Sequence, residues 1–192
     1  MRLVRPLLAF GAALLLAACG GSDEAAPDLV FVSTRDGDYA LYTMSTSEGD
    51  ERRLTEAEGD PSTPLGLFFQ TDPAWSPDGG TIAFASKRSG SFDLYAVSAD
   101  GGDMRRLTST KEDDDEPTWS PDGERIAFAG ERGGVWNIWT VARRGRTLTQ
   151  MTRFQSPSGY VRYPAWSPRG DRIVFERSIR ESSVWMARPI LR

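Results

Sequence analysis

The sequence predicts an all-β protein, a β-propeller of about four blades, either closed as a tight ring or left as an incomplete, open arc. Three observations carry this. A thirteen-residue sentence led by Pro-x-Trp-Ser-Pro recurs as Asp72–Phe84, Glu116–Phe128 and Tyr163–Phe175. Its tryptophans, Trp75, Trp119 and Trp166, lie 44 and 47 residues apart. Periods of about 40–45 residues holding several short strands mark propeller blades. A fourth copy precedes these: Leu29–Tyr42 matches Ile82–Tyr95 at a constant offset of 53, and Leu54-Thr55 matches Leu107-Thr108 at the same offset. That first copy lacks the Trp-Ser-Pro-Asp-Gly opening.

Each repeat resolves into four strands. The first is Ala74-Trp75-Ser76 and its copies. Ser76-Pro77-Asp78-Gly79 is a tight hairpin turn, since Pro presets φ, Asp accepts the bend and Gly takes the left-handed site. Gly79, Gly123 and Gly170 hold that site in the three copies. The second strand, Thr81–Ser86, puts Ile82 and Phe84 on one face and Ala83 and Ala85 on the other. One face is bulky, the other small, and both are apolar, as in a sheet sandwiched between two others. The third strand is Asp93–Val97, and the fourth ends in Arg106-Leu107-Thr108. The three tryptophans read as core residues between blades, not as ligand stackers. Counted this way, the repeats supply three, four, four and three strands. Leu65–Gln70 and Pro189–Arg192 are the segments available to add more.

These motifs resemble the TolB-type propeller repeat, which runs Pro-x-Trp-Ser-Pro-Asp-Gly, Ile-Ala-Phe, Arg-x-Gly, Asp-Leu-Tyr and Arg-Leu-Thr. The resemblance covers nearly all of the chain beyond residue 28, with repeats at about 29–71, 72–115, 116–162 and 163–192. It implies a fold more than a function, because such propellers serve scaffolding, carbohydrate handling and peptidases alike.

The first 28 residues read differently. Arg2 and Arg5 precede an apolar run from Leu7 to Ala18. That run is shorter than the ~20 residues a membrane span takes and fits the core of an export signal. Leu16-Ala17-Ala18-Cys19 resembles a bacterial lipobox, which implies a signal peptide over 1–18, acylation of Cys19 and a tether over 19–28. Gly20 and Gly21 after the cysteine resemble the pattern of lipoproteins sent to the outer membrane. The expected address is therefore the bacterial cell envelope, lipid-anchored at the periplasmic face of the outer membrane.

Composition narrows the chemistry. The 192 residues include no His and one Cys, with 23 basic and 27 acidic side chains for a net charge of −4. Loss of Arg2 and Arg5 with the leader makes it −6. An acidic chain argues against nucleic acid. Without His there is no Ser-His-Asp or Cys-His pair, and no Gly-x-Ser-x-Gly elbow occurs. No catalysis, cofactor or metal is expected. The acidic run Lys111–Glu116 reads as a solvated loop rather than a Ca²⁺ loop, since it lacks glycine-punctuated alternation. Binding candidates are Asp113, Asp114 and Asp115 of that run, with Asp72 and Tyr163 in comparable places of the neighbouring repeats. Arg35, Arg88 and Arg132 recur beside Gly and read as loop supports bonded to carbonyls. Trp136 and Trp139, three apart on one strand, read as packing residues on opposite faces. The leading expectation is an envelope scaffold for proteins or glycans, with self-association available to complete the propeller. The alternatives are the gating propeller of a prolyl-oligopeptidase-like or glycan-processing enzyme, or a fragment of a longer propeller.

Overall fold

The computed structural model describes residues 29–37, 39–56, 70–157, 159–179 and 182–187. The leader, Cys19, the tether, Leu65–Phe69 and Pro189–Arg192 lie outside the described residues. Four antiparallel sheets follow one another along the chain. Blade 1 holds β1 (Leu29–Ser33), β2 (Ala40–Met44) and β3 (Glu51–Arg53). Blade 2 holds β4 (Gln70–Trp75), β5 (Thr81–Ser86), β6 (Asp93–Ser98) and β7 (Arg105–Arg106). Blade 3 holds β8 (Asp114–Trp119), β9 (Arg125–Arg132), β10 (Val135–Ala142) and β11 (Leu148–Gln150). Blade 4 holds β12 (Tyr160–Trp166), β13 (Ile173–Ser178) and β14 (Ser182–Ala187). Strand order within each sheet is sequential.

The turn chemistry repeats as expected. Gly79, Gly123 and Gly170 adopt φ of 69°, 69° and 70°, a region that costs a side chain dearly and glycine little. In blade 2, Thr81 N–H donates to Ser76 Oγ at 2.9 Å, and Ser76 Oγ donates to Asp78 Oδ1 at 2.5 Å. Arg125 N–H repeats the first bond onto Ser120. Blade 4 has Arg169 where the others have Asp, and Asp171 takes over, accepting from Ser167 Oγ at 2.7 Å.

The bulky-small alternation sets the stacking. Ile82 and Phe84 pack with Leu41, Leu54 and Tyr95 against blade 1. Ala83 and Ala85 on the opposite face receive Trp119, Ile126 and Phe128 of blade 3. Ala127 then receives Ile173 and Phe175 of blade 4, with Trp166 at the margin. Each interface is thus the small face of one blade against the bulky face of the next. The tryptophans add a fixed bond across it. Trp119 Nε1 donates to Ala74 O at 3.1 Å, and Trp166 Nε1 to Thr118 O at 3.2 Å. Among the described residues, no contact joins the first sheet to the fourth. The described blades form an open arc.

Of the recurring arginines, Arg132 donates to a backbone carbonyl, that of Glu131, as expected, and all three also share a contact that the carbonyl role does not include. Arg35 lies over the Tyr42 ring at 4.6 Å, Arg88 over Tyr95 at 5.2 Å and Arg132 over Trp139 at 4.8 Å. Each covers the aromatic of its own third strand with a cation–π contact. Trp139 and Trp136 do face opposite interfaces.

Candidate functional site

The first strands β4, β8 and β12 lie side by side at the inner end of the blades. They start at Gln70, Asp114 and Tyr160, earlier than a strand beginning at Ala74 and its copies would. Each breaks register with its neighbour once: between Thr71 and Ala74, between Asp115 and Thr118, and between Arg162 and Ala165. The cause lies in the sequence. A proline stands in each break, at 73, 117 and 164, and has no N–H for the ladder. The residue before a proline is pushed out of the right-handed helical region. Asp72, Glu116 and Tyr163 here adopt φ of 51°, 56° and 53°. Three non-glycine residues in left-handed backbone, at one place in three blades, are held by their surroundings at a local cost of about 1–3 kcal/mol each. At the bulges, Asp72 reaches Asp115 of the next blade and Glu116 reaches the Tyr163 N–H of the blade after it.

An acidic cluster results. Asp115 accepts the Glu116 N–H at 2.8 Å and the Thr71 hydroxyl at 3.4 Å, and it shares a hydrogen bond with Asp72. Glu116 Oε2 in turn accepts the Tyr163 N–H. Burial, and then the charge of Asp72, pushes the Asp115 carboxyl up to about 7. Burial also pushes Glu116 up to about 7, against the N–H of Tyr163 and with help from Asp115 and Asp72. Asp72 is exposed, and Tyr163 leaves 61% of its surface open. Among the described residues no Lys or Arg forms an ion pair with Asp72, Asp115 or Glu116, and no three acidic groups are arranged to hold a metal ion.

Of the binding candidates, Asp72, Asp115 and Tyr163 come together at this hub. Asp113 and Asp114 do not join them. Asp113 Oδ1 accepts the Phe92 N–H at 2.9 Å and so ties blade 3 to blade 2. Asp114 is fully buried, paired with Arg132 at 2.7 Å and bonded to Thr110 at 3.1 Å. A Cβ on Gly130 would come within 2.8 Å of its Oδ1, so the glycine makes its room. Glu116 ends the acidic run but is not among the binding candidates, and it is the hub residue they miss. Aligning the three prolines finds it, because Glu116 stands in the slot of Asp72 and Tyr163.

A second, shallow groove lies between blades 3 and 4, lined by Trp136, Phe154, Tyr160 and Arg177 among others. Arg177 lies over the Phe154 ring at 3.8 Å.

Comparison with known proteins gives a consistent picture. The family model described as the TolB beta propeller domain matches residues 67–188. An uncharacterized peptidase of Bacillus subtilis, YuxL, is 53% identical over 82 residues, covering 38% of this chain and 12% of its own. The Tol-Pal system protein TolB of Syntrophus aciditrophicus is 37% identical over 82 residues, covering 42% of this chain and 17% of its own. The solved structure of a candidate TolB from Agrobacterium tumefaciens superposes with a TM-score of 0.68 at 26% identity, over 82% of this chain and 56% of that one. The chain spans a quarter or less of the length of the curated relatives it matches.

Proposed function

This chain belongs to the TolB beta-propeller family, and from that premise we propose that it is a non-catalytic scaffold of the bacterial cell envelope. Its hub would bind a partner, an envelope protein or a glycan. One observation carries the reading. Asp72, Asp115 and Glu116 are gathered where Asp72, Glu116 and Tyr163 adopt left-handed backbone in three successive blades, with no ion pair to a described Lys or Arg and only the more distant charge of Arg162 acting on Glu116. Strain of this kind is kept where the surroundings over-determine it, and it clusters at ligand clamps. Acidic groups beside an exposed tyrosine suit a partner that brings a basic side chain and an apolar surface. The relative named as part of the Tol-Pal system supports the envelope context.

The test is affinity capture from detergent-solubilised envelopes with the full chain and with Asp72→Asn/Glu116→Gln. The expected result is a partner retained by the parent and lost by the double variant. Identical recoveries from both would overturn the hub as the binding site. The address is tested separately: Cys19→Ser should move the protein from the membrane to the soluble fraction, and unchanged fractionation would remove the lipid anchor.

The peptidase relative favours one alternative, a propeller that gates a hydrolase. Turnover of peptide substrates by the purified chain would support that reading over a scaffold.

A further inference from the structure

In blades 2 and 3 the turn between the third and fourth strands packs on the fourth strand of the blade before. The two turns have one length, residues 97–108 matching 141–152 at a constant offset of 44. They have one backbone too, since Gly101 and Gly145 both adopt φ of 79°. Each glycine sits against the preceding blade: a Cβ on Gly101 would meet Leu54 O at 3.6 Å, and one on Gly145 would meet Leu107 O at 3.0 Å. Each turn also accepts a bond from an arginine of that blade. Arg52 donates to Asp100 O, and Arg105 to Arg143 O at 2.9 Å.

The two seams carry opposite charge on this shared backbone. Blade 2 has Ala99, Asp100 and Gly102 where blade 3 has Arg143, Arg144 and Arg146. The first seam therefore sets an arginine against an acidic turn, and the second sets Arg105 against three more arginines. Arg146 stands in left-handed backbone, at φ 76°, where blade 2 has Gly102. A side chain is costly there and glycine is not. Arg143 bonds Asp78 Oδ2 at 2.9 Å and lies over the Trp119 ring at 5.8 Å. Among the described residues, Arg105, Arg144 and Arg146 form no ion pair. Burial, and then the charges of Arg143 and Arg144, lower the pKa of Arg105, so these guanidiniums are close enough to repel one another. Set against Asp78 alone, Arg105, Arg143 and Arg144 leave a surplus of two positive charges. The chain as a whole is acidic.

We propose that this arginine turn, at the seam of blades 2 and 3, is a binding site for a phosphate monoester. The anion stands in for the acid that blade 2 carries at Asp100. A guanidinium offers a planar pair of N–H donors that matches two phosphate oxygens. A phosphate monoester carries about −1.5 to −2 charges at pH 7, which balances the surplus, whereas a lone carboxylate leaves half of it. Two of the arginines are positioned before any ligand arrives. Arg143 is held by Asp78 and Trp119, and Arg105 by the Arg143 carbonyl. Less ordering is then required on binding. Arg144 and Arg146 are exposed and supply the remaining donors. The site shares no residue with the hub, and its test does not depend on the hub variants.

The experiment uses the full chain in detergent, with inorganic phosphate as the probe and chloride at matched ionic strength as the reference. Calorimetric titration should show saturable phosphate binding, and phosphate should raise the melting temperature above its value in chloride. Arg144→Asp/Arg146→Gly gives blade 3 the turn residues of blade 2, a turn that already forms in this protein. It should weaken phosphate binding about tenfold or more, the size of one hydrogen bond to a charged group. In chloride it should melt no lower than the parent, because repulsion is relieved. Arg144→Lys keeps the charge but loses the fork, and should bind between the two. Glycerol phosphate, tested against phosphatidic acid carried in the same micelles, identifies the source: whichever binds the parent and not the double variant is the class of ligand. Three results would overturn the proposal. One is equal melting of the parent in phosphate and chloride. The second is equal phosphate affinity in the parent and the double variant. The third is a double variant that melts well below the parent in chloride, which would mean that the arginines are already paired within this chain.

Discussion

At the scale of single residues, the hub is governed by how expensive it is to ionise several carboxylates together where water is scarce. Asp115 and Glu116 are both pushed up to about 7, from ordinary values of 3.8 and 4.5, with burial as the larger cause in each. The sign follows. A carboxyl whose pKa is raised on folding binds its proton more tightly in the folded state than in the unfolded one. Between about pH 4 and 7 the folded protein therefore holds more protons, and its stability falls as pH rises through that window. The turn carboxylates act the other way at lower pH. Asp78 is held down to about 2 by the Ser76 hydroxyl and the Gly80 N–H, so its contribution is lost only on strong acidification. The chain has no histidine to obscure the middle window. The melting temperature should fall between pH 4.5 and 7.5. Asp115→Asn, which cannot ionise, should flatten that fall and raise the melting temperature at pH 7.5. A parent protein equally stable at both ends of the window would refute this account of the hub.

At the scale of elements, the last strand of each of the first three blades is closed by one threonine, which directly follows a Leu or Met. Leu54, Leu107 and Met151 give their N–H to the third strand, at Leu41, Leu94 and Ile138. The next residue turns its hydroxyl inward. Thr55, Thr108 and Thr152 each accept the N–H of that same third-strand residue at 2.9 Å. Each then donates onward, to Gln70, Asp93 and Asn137. Blade 1 has Ala40 where the others have Asp93 and Asn137, so Thr55 reaches across to the next blade instead. Thr108→Val keeps the shape but leaves the buried Leu94 N–H and Asp93 Oδ1 short of a partner. The expected loss is about 1–3 kcal/mol, readable as a lowered denaturation midpoint with unchanged slope. A loss within 0.5 kcal/mol would show that water replaces the hydroxyl.

These closures also mark what a single sequence makes legible. Strand β5 runs Thr81–Ser86 as expected, and the Ser-Pro-Asp-Gly turn forms as expected, because alternation and turn chemistry act within a few residues. The start of β4 at Gln70 was not legible, since that extension is held by pairing with Ser86 and by Thr55. Asp113 and Asp114 look like hub residues in a charge run. Their true partners, Phe92 and Arg132, lie 21 and 18 residues away in the chain.

At the scale of the whole molecule, the described blades behave as a linear array, because each touches only its sequence neighbours. Three apolar clusters correspond to three interfaces, and nothing among the described residues links the ends. Stability in such an array is a sum of unit and nearest-neighbour terms, so position along the row matters as much as local burial. Phe128 and Phe175 are both buried and occupy the same place in blades 3 and 4. Truncating either to Ala would cost roughly 3–5 kcal/mol. The consequences differ. Phe128 lies in the middle interface, and its loss uncouples blades 1 and 2 from blades 3 and 4. Phe175 lies in the terminal interface, and its loss frees one blade. Native-state hydrogen exchange distinguishes these, since it reads the free energy of each local opening. In the parent protein the amides of β5 and β9 should exchange slowest, and those of β1 and β13 faster. Phe175→Ala should accelerate exchange in β12 and β13 while leaving β5 nearly unchanged. Phe128→Ala should accelerate it in every blade. Equal protection across all four blades, or a global response to Phe175→Ala, would mean that the ends are joined and the arc is closed into a cooperative ring.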